Sequence, residues 1–418
     1  MSAVTPPGAE PSPRQQPDTG QPDTGQPDTG QPDTGPAGAA PADPVAWTAA
    51  RLDDIRSADR WRRCRPFDAN GPAGDRDGTS LVSFAGNDYL GLSTHPSVVG
   101  AAVAALGRWG AGATASRLVV GHRPIHDELE VALAAWKHAE AAVVFPTGYA
   151  ANLGVLATLG GVDCRIVSDE RNHASIIDGC RLARSPVSVV AHNDVAAVDA
   201  ALANRREPRA LVVVDAVYSM DGDEAPLHEL AAVARRHGAF LVVDEAHVVF
   251  DHPPATLDAL AAPHVVRVVT LSKALGAMGG AVCATSDVVD LLINRARPFI
   301  FTTGLSPADA AAALAAVGVA ASPEGDERRA RLRSLVDRVD PASPSPIVPL
   351  IIGDEADALA AADALAARGL LVPAIRPPTV APGTSRLRVT LSAAHTDAMV
   401  DALVDGLAAL DLTPRSPR

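Results

Sequence analysis

The sequence predicts an α/β fold: a large domain on a mostly parallel sheet, followed by a smaller α/β C-terminal domain. Two observations lead there. Four short β-branched runs carry few charges until their ends: AAVVFP (141–146), LVVVDA (211–216), FLVVDEA (240–246) and HVVRVVTLS (264–272). Strands buried on both faces have this composition. Between them lie Ala/Leu-rich amphipathic stretches, and strand, helix and strand in alternation imply parallel pairing with right-handed crossovers.

The elements follow in chain order. The chain opens with four tandem QPDTG repeats, Gln16 to Gly35, among Pro, Gly and Ala. Such residues cannot offset the entropy of ordering, so 1–44 is expected to be a disordered tail. An N-terminal segment (45–95) then leads into the large domain (96–302). A helix is expected from Pro226 to His237, where Leu227, Leu230, Ala231 and Val233 recur among charges. The C-terminal domain (303–418) opens with an Ala-rich helix, Ser306 to Ala321, and SPEGDERRARLRS reads as a linker. IVPLIIG, EADALAAADALAARG and RLRVTLS then form a strand, helix and strand unit.

Bulk properties exclude several functions. The net charge of -13 argues against a nucleic-acid binder, and the one dense basic run is RWRRCR, Arg60 to Arg65. No apolar run approaches the roughly 18 residues of a membrane span. The four cysteines form no C-x-x-C pair and read as reduced thiols, and with no hydrophobic signal core the expected location is the cytoplasm.

The chemistry is expected where the strands end, since ligands of open α/β sheets gather at their carboxyl edge. LVVVDAVYSMDGD delivers Asp215, Tyr218, Ser219 and Asp221; FLVVDEAH delivers Asp244, Glu245 and His247; VVTLSK delivers Thr270, Ser272 and Lys273. Only two of the 36 cationic residues are lysine, Lys137 and Lys273. Arginine cannot lose its proton to become a nucleophile, so a lysine retained at a strand end is a candidate for amine chemistry. Taken alone, Lys273 also reads as a surface cation, and Asp244 with His247 as a helix cap and surface pair. Lys137, in AWKHAE, reads as a helix-surface residue, and His126 as a packing residue. In FPTGYAAN a strand end meets Gly148 and Tyr149 at a helix start, a place suited to a phosphate. Lysine, strand-end carboxylate and phosphate site together point to pyridoxal phosphate, which needs a Schiff-base lysine and a carboxylate at its ring nitrogen.

The motifs NDYLGL (87–92), GAGATASRLVVG (110–121), FPTGYAANLG, SDERNHASIIDGCRLA (168–183), YSMDGDEAPL, VVDEAH and TLSKALGAMGG occur in this order, and with them the chain resembles the α-oxoamine synthases. These are fold-type I pyridoxal-phosphate enzymes that condense an amino acid with an acyl thioester. The resemblance implies that Lys273 bonds the cofactor and moves the α-proton. It places Asp244 at the pyridine nitrogen, His173 stacked on the ring and His247 at the phenolic oxygen. Ser219 would contact the cofactor, and the Gly148 and Tyr149 amides with the Thr270 hydroxyl would hold the phosphate. Arg376 and Arg388 would take a substrate carboxylate with Thr379 nearby, and Arg62 would meet the acyl substrate or belong to a solvated helix face. Asn87 is open between a turn role and a ligand contact. The stretch AIRPPTVAPGTSRLRVTLSAAH (374–395) is similar to members that join L-alanine to a pimeloyl thioester in biotin synthesis. Sister enzymes using glycine or serine, and a non-catalytic scaffold, are the alternatives. The family also implies a homodimer. One departure stands out: after DEAH, where relatives have a glycine-rich turn, this chain runs Val248, Val249, Phe250, Asp251, His252, Pro253, Pro254 and reaches Lys273 several residues early. The fold is expected to survive this.

Overall fold

The valine-rich runs pair into a seven-stranded sheet because alternate residues have apolar partners on both faces. Leu211 and Val213 join one hydrophobic cluster, Val212 and Val214 another. The strands, in spatial order, are Ala141–Phe145, Gly280–Ala284, Val265–Thr270, Phe240–Asp244, Arg209–Asp215, Cys164–Asp169 and Val187–Val190. Only Gly280–Ala284 runs antiparallel to its neighbours, and the other pairs are parallel. Helices Gly148–Leu159, Ala174–Leu182 and Ser286–Arg295 share their buried residues with one face. Helices Val195–Ala203 and Leu227–Arg236 share theirs with the other.

The computed structural model describes residues 43–57 and 60–412, in two compact units, Met1–Cys64 and Arg65–Arg418. The QPDTG repeats lie outside the described residues. In the first unit, helix Pro44–Ser57 buries none of its side chains. All else below concerns the second unit.

Parallel pairing brings the strand ends level. Asp215 is the register partner of Asp244, and Asp244 of Val268, two residues before Thr270. Gly148 and His173 open the segments after two further strands of the same sheet. A three-stranded antiparallel sheet, Ile347–Gly353, Ser385–Thr390 and Ala374–Ile375, carries Arg386 and Arg388 two residues apart, hence on one face. Helix Pro307–Ala320 packs by its alanines into the cluster that holds Val98, Leu129 and Val269.

Two expectations are corrected. The segment after Ala321 is the start of a 17-residue helix, Pro323–Val339, rather than a linker. Proline at its first turn, Glu324 and Asp326 beside the positive dipole end, and Leu332, Leu335, Val336 and Val339 at helical spacing explain it. Lys137 is not a surface residue: it follows helix Pro124–Trp136 and is buried, with Nζ 2.8 Å from Glu245 Oε2. Arg267 Nε lies 2.5 Å from the other oxygen of Glu245. These two cations hold the fully buried Glu245 carboxyl down at about 2 against the opposing effect of burial. After His247, Val248, Val249 and Phe250 pack against the C-terminal core and helix Pro254–Leu260 leads directly into strand Val265–Thr270. The shortened segment is thus absorbed with the sheet register intact.

Candidate active site

Lys273 lies just beyond strand Val265–Thr270, and its Nζ sits 2.7 Å from His247 Nε2. His247 Nδ1 is 2.7 Å from the Tyr89 hydroxyl, which donates to Asn87 Oδ1 at 3.0 Å. Arg388 Nη2 donates to the same oxygen at 3.3 Å, and Arg388 Nε donates to the Ser219 carbonyl at 2.5 Å. Burial, with Lys273 and Arg388 nearby, pushes the His247 pKa well below the ordinary range. A neutral imidazole accepts at one nitrogen and donates at the other, so one polarity runs from Lys273 through His247 and Tyr89 to Asn87. Burial also lowers the Lys273 pKa, opposed by Asp244 and Asp215. That favours the free amine, the form that attacks a carbonyl.

A second network holds the carboxylate. Asp244 Oδ2 accepts from Asn152 Nδ2 at 2.6 Å, and Asp244 Oδ1 from the Ala246 amide at 2.9 Å. Asn152 Nδ2 also reaches Ser175 Oγ at 2.9 Å, which lies 2.8 Å from His173 Nδ1. This ties the His173 ring to the same framework. The His173 amide donates to Asp215 Oδ2 at 2.6 Å. Asp215 is fully enclosed beside Asp244, and burial and that neighbouring charge raise its pKa well above the carboxylate range.

The place suited to a phosphate is the start of helix Gly148–Leu159. Thr147 caps it, its Oγ1 accepting from the Ala150 amide at 3.0 Å. A Cβ on Gly148 would sit 3.4 Å from the Thr270 side chain, and one on Gly280 would fall 2.4 Å from the Gly148 nitrogen. Only glycine permits this approach, and it leaves a backbone cradle beside Thr270. Asn152 Oδ1 is buried without a hydrogen-bond partner. Cradle, carboxylate, imidazole and amine together fit a phosphorylated pyridine aldehyde.

The structure thus brings Lys273, His247, Asp244, His173, Asn87, Arg388, Gly148 and Thr270 to one edge. Ser219 contributes its carbonyl to Arg388. Tyr149 turns its hydroxyl outward to Asp178, so only its backbone belongs to the helix start. Arg376 lies 3.9 Å from Glu355, and the exposed Thr379 donates its amide to the Arg376 carbonyl at 3.0 Å. Arg62 is exposed and belongs to the first unit. Glu245 alternates away from Asp244 toward Lys137 and Arg267. His126 is buried, its Nε2 2.9 Å from the Leu305 carbonyl, a packing residue held at a pKa of about 4 by burial.

Sequence reasoning assigned nothing to Asn152 and Tyr89. The available signal for Asn152 was its place one helical turn after Gly148, on the same face. For Tyr89 it was a phenol within NDYLGL, whose pKa burial raises to about 12.

Comparison with known proteins agrees with this arrangement. Residues 79–407 match the family model for aminotransferase class I and II. The chain is 49% identical over 377 residues to the 8-amino-7-oxononanoate synthase of Methylobacterium sp. (strain 4-46), covering 88% of this chain and 96% of that protein. It is 47% identical over 354 residues to the 8-amino-7-oxononanoate synthase of Bordetella petrii, covering 80% and 89%. Among solved structures, a high-resolution structure of SPT with its PLP internal aldimine superposes with a TM-score of 0.82 at 30% identity, over 88% of this chain and 98% of that one. With relatives this similar over nearly their whole length, the chain belongs to the 8-amino-7-oxononanoate synthase family within the class I and II aminotransferases.

Proposed function

We propose that this protein is a pyridoxal-phosphate-dependent acyltransferase of biotin synthesis. It joins L-alanine to a pimeloyl thioester, giving 8-amino-7-oxononanoate, carbon dioxide and a free thiol. The observation that carries the reading is the half-buried Lys273 amine, 2.7 Å from His247 and in the field of Asp244, in a chain 47% and 49% identical to two synthases of that name. Bound, the cofactor supplies an electron-withdrawing ring that stabilises negative charge at the amino-acid Cα.

The chain's own residues do the rest. Gly148, Tyr149 and Thr270 hold the phosphate, and Asp244, oriented by Asn152, keeps a proton on the ring nitrogen. His173 and His247 would flank the bound ring, His247 beside Lys273. Lys273 takes and returns the Cα proton. Arg388 is held by Ser219 and Asn87 through Nε and Nη2, which leaves Nη1 to meet the alanine carboxylate. Arg376 with Thr379 completes the substrate contacts in this reading. We place the enzyme in the cytoplasm as a homodimer, to which Thr303 of a second copy could add a phosphate contact. Three of its four cysteines are buried free thiols, in keeping with a reducing compartment.

The test is to incubate purified protein with pyridoxal phosphate, pimeloyl-CoA and one amino acid at a time, and to detect the amino ketone by mass spectrometry. Product from alanine, absent in Lys273→Ala, is expected. Product only from glycine or serine would move the protein to a sister activity. No product together with no cofactor uptake would leave the fold as a scaffold.

A further inference from the structure

Away from the strand-end cluster the second unit contains a cavity of about 630 Å³. That lies within the roughly 300–1,000 Å³ of sites for small organic ligands. Leu90, Val249, Phe250, Leu275, Leu314 and Val317 give it apolar walls, while Lys273, His247, Asp244 and Arg388 do not line it. Its polar side is cationic. Lys137 and Arg267 both line it, and both are buried against the single carboxylate of Glu245, so the group carries one positive charge in excess. His252 also lines it, is close enough to feel all three charges, and has its Nε2 buried without a hydrogen-bond partner. Arg329, at the same cavity, is occupied by Asp251 and Asp326.

An uncompensated buried cation and an unpartnered imidazole nitrogen call for an anionic acceptor, and the apolar walls call for a hydrocarbon body. We propose that this cavity binds an aliphatic monocarboxylate, its head group at Lys137 and His252 and its chain along Leu314 and Val317. The site lies beyond Ala274 and Leu275, which also line it and follow Lys273 directly in the chain. Occupancy is therefore felt by the segment that carries the amine.

The test titrates the pyridoxal-phosphate-loaded protein with octanoate and with octanol in a calorimeter. Octanoate is expected to bind at one saturable site, about tenfold or more tighter than octanol. Lys137→Met leaves Glu245 and Arg267 as a neutral pair and should reduce octanoate to the affinity of octanol. Gly318, an exposed position on the cavity wall, has nothing within 4 Å of an added Cβ, so Gly318→Leu introduces an apolar side chain at the cavity with no clash at Cβ and should abolish binding of both probes. No heat with octanoate, equal affinity for octanoate and octanol, or octanoate binding that survives Gly318→Leu would each overturn the proposal. The last outcome would locate the carboxylate at the strand-end site instead. The amino-acid specificity of the synthase reaction is read separately and does not enter the result.

Discussion

Glu245→Gln is the perturbation whose consequence the structure makes most definite. The substitution keeps the shape and removes the only anion between two buried cations, Lys137 at 2.8 Å and Arg267 at 2.5 Å. Holding a carboxyl at about 2 rather than its ordinary 4.5 is worth about 3 kcal/mol at neutral pH, by linkage. Stranding the partners of a buried charge costs about 3–5 kcal/mol, an independent route to the same size. At roughly 2 cal/mol/K of unfolding entropy per residue over the unit Arg65–Arg418, that loss lowers Tm by about 4–7 °C. Differential scanning calorimetry at neutral pH reads it. Because the folded pKa is depressed, the stabilisation is full above about 4.5 and is lost as pH falls toward about 2, so the two melting curves should converge in acid. Adding Lys137→Met to Glu245→Gln removes one stranded cation and should restore part of the loss. A Tm unchanged by Glu245→Gln, or a double variant worse than the single one, would refute the reasoning.

Other variants probe the site itself. Asn152→Ala removes the 2.6 Å donor to Asp244 and should weaken pyridoxal phosphate binding about ten- to hundredfold, measured by cofactor absorbance after dialysis. Gly280→Ala places a Cβ 2.4 Å from the Gly148 nitrogen, where backbone must yield. It should cost about 1–3 kcal/mol in stability and release the cofactor's phosphate, seen as a raised Kd. Arg388→Lys loses the planar fork and its bonds to Ser219 and Asn87. The KM for alanine should rise about tenfold or more with cofactor absorbance intact, whereas a wholly structural role would also reduce the cofactor absorbance.

Much of this was legible in the sequence, for particular reasons. Valine-rich runs such as LVVVDA are strands wherever both faces are covered, and their last residues are level because parallel neighbours share a direction. The scarcity of lysine singles out Lys273 from the sequence itself. What escaped was tertiary. Helix Pro323–Val339 is so polar that its apolar stripe is hidden among arginines until the C-terminal core supplies its partner. Lys137 reads as exposed in sequence because the carboxylate that buries it, Glu245, lies just past the end of a distant strand. Asn152 needed Asp244 beside it to acquire a purpose. Arg376 and Arg388 were indistinguishable as sequence letters; only the pairing of Ser385–Thr390 with its neighbours brings Arg388 against Ser219.

The central claim is that Lys273 is the amine that bonds the cofactor. The most direct test is to reduce the pyridoxal-phosphate-loaded protein with borohydride, digest it and map the added mass by peptide sequencing in a mass spectrometer. The account predicts a single modified peptide carrying the label on Lys273, with Lys137 untouched. A label on Lys137, or an unlabelled Lys273 in protein that has bound the cofactor, would contradict it.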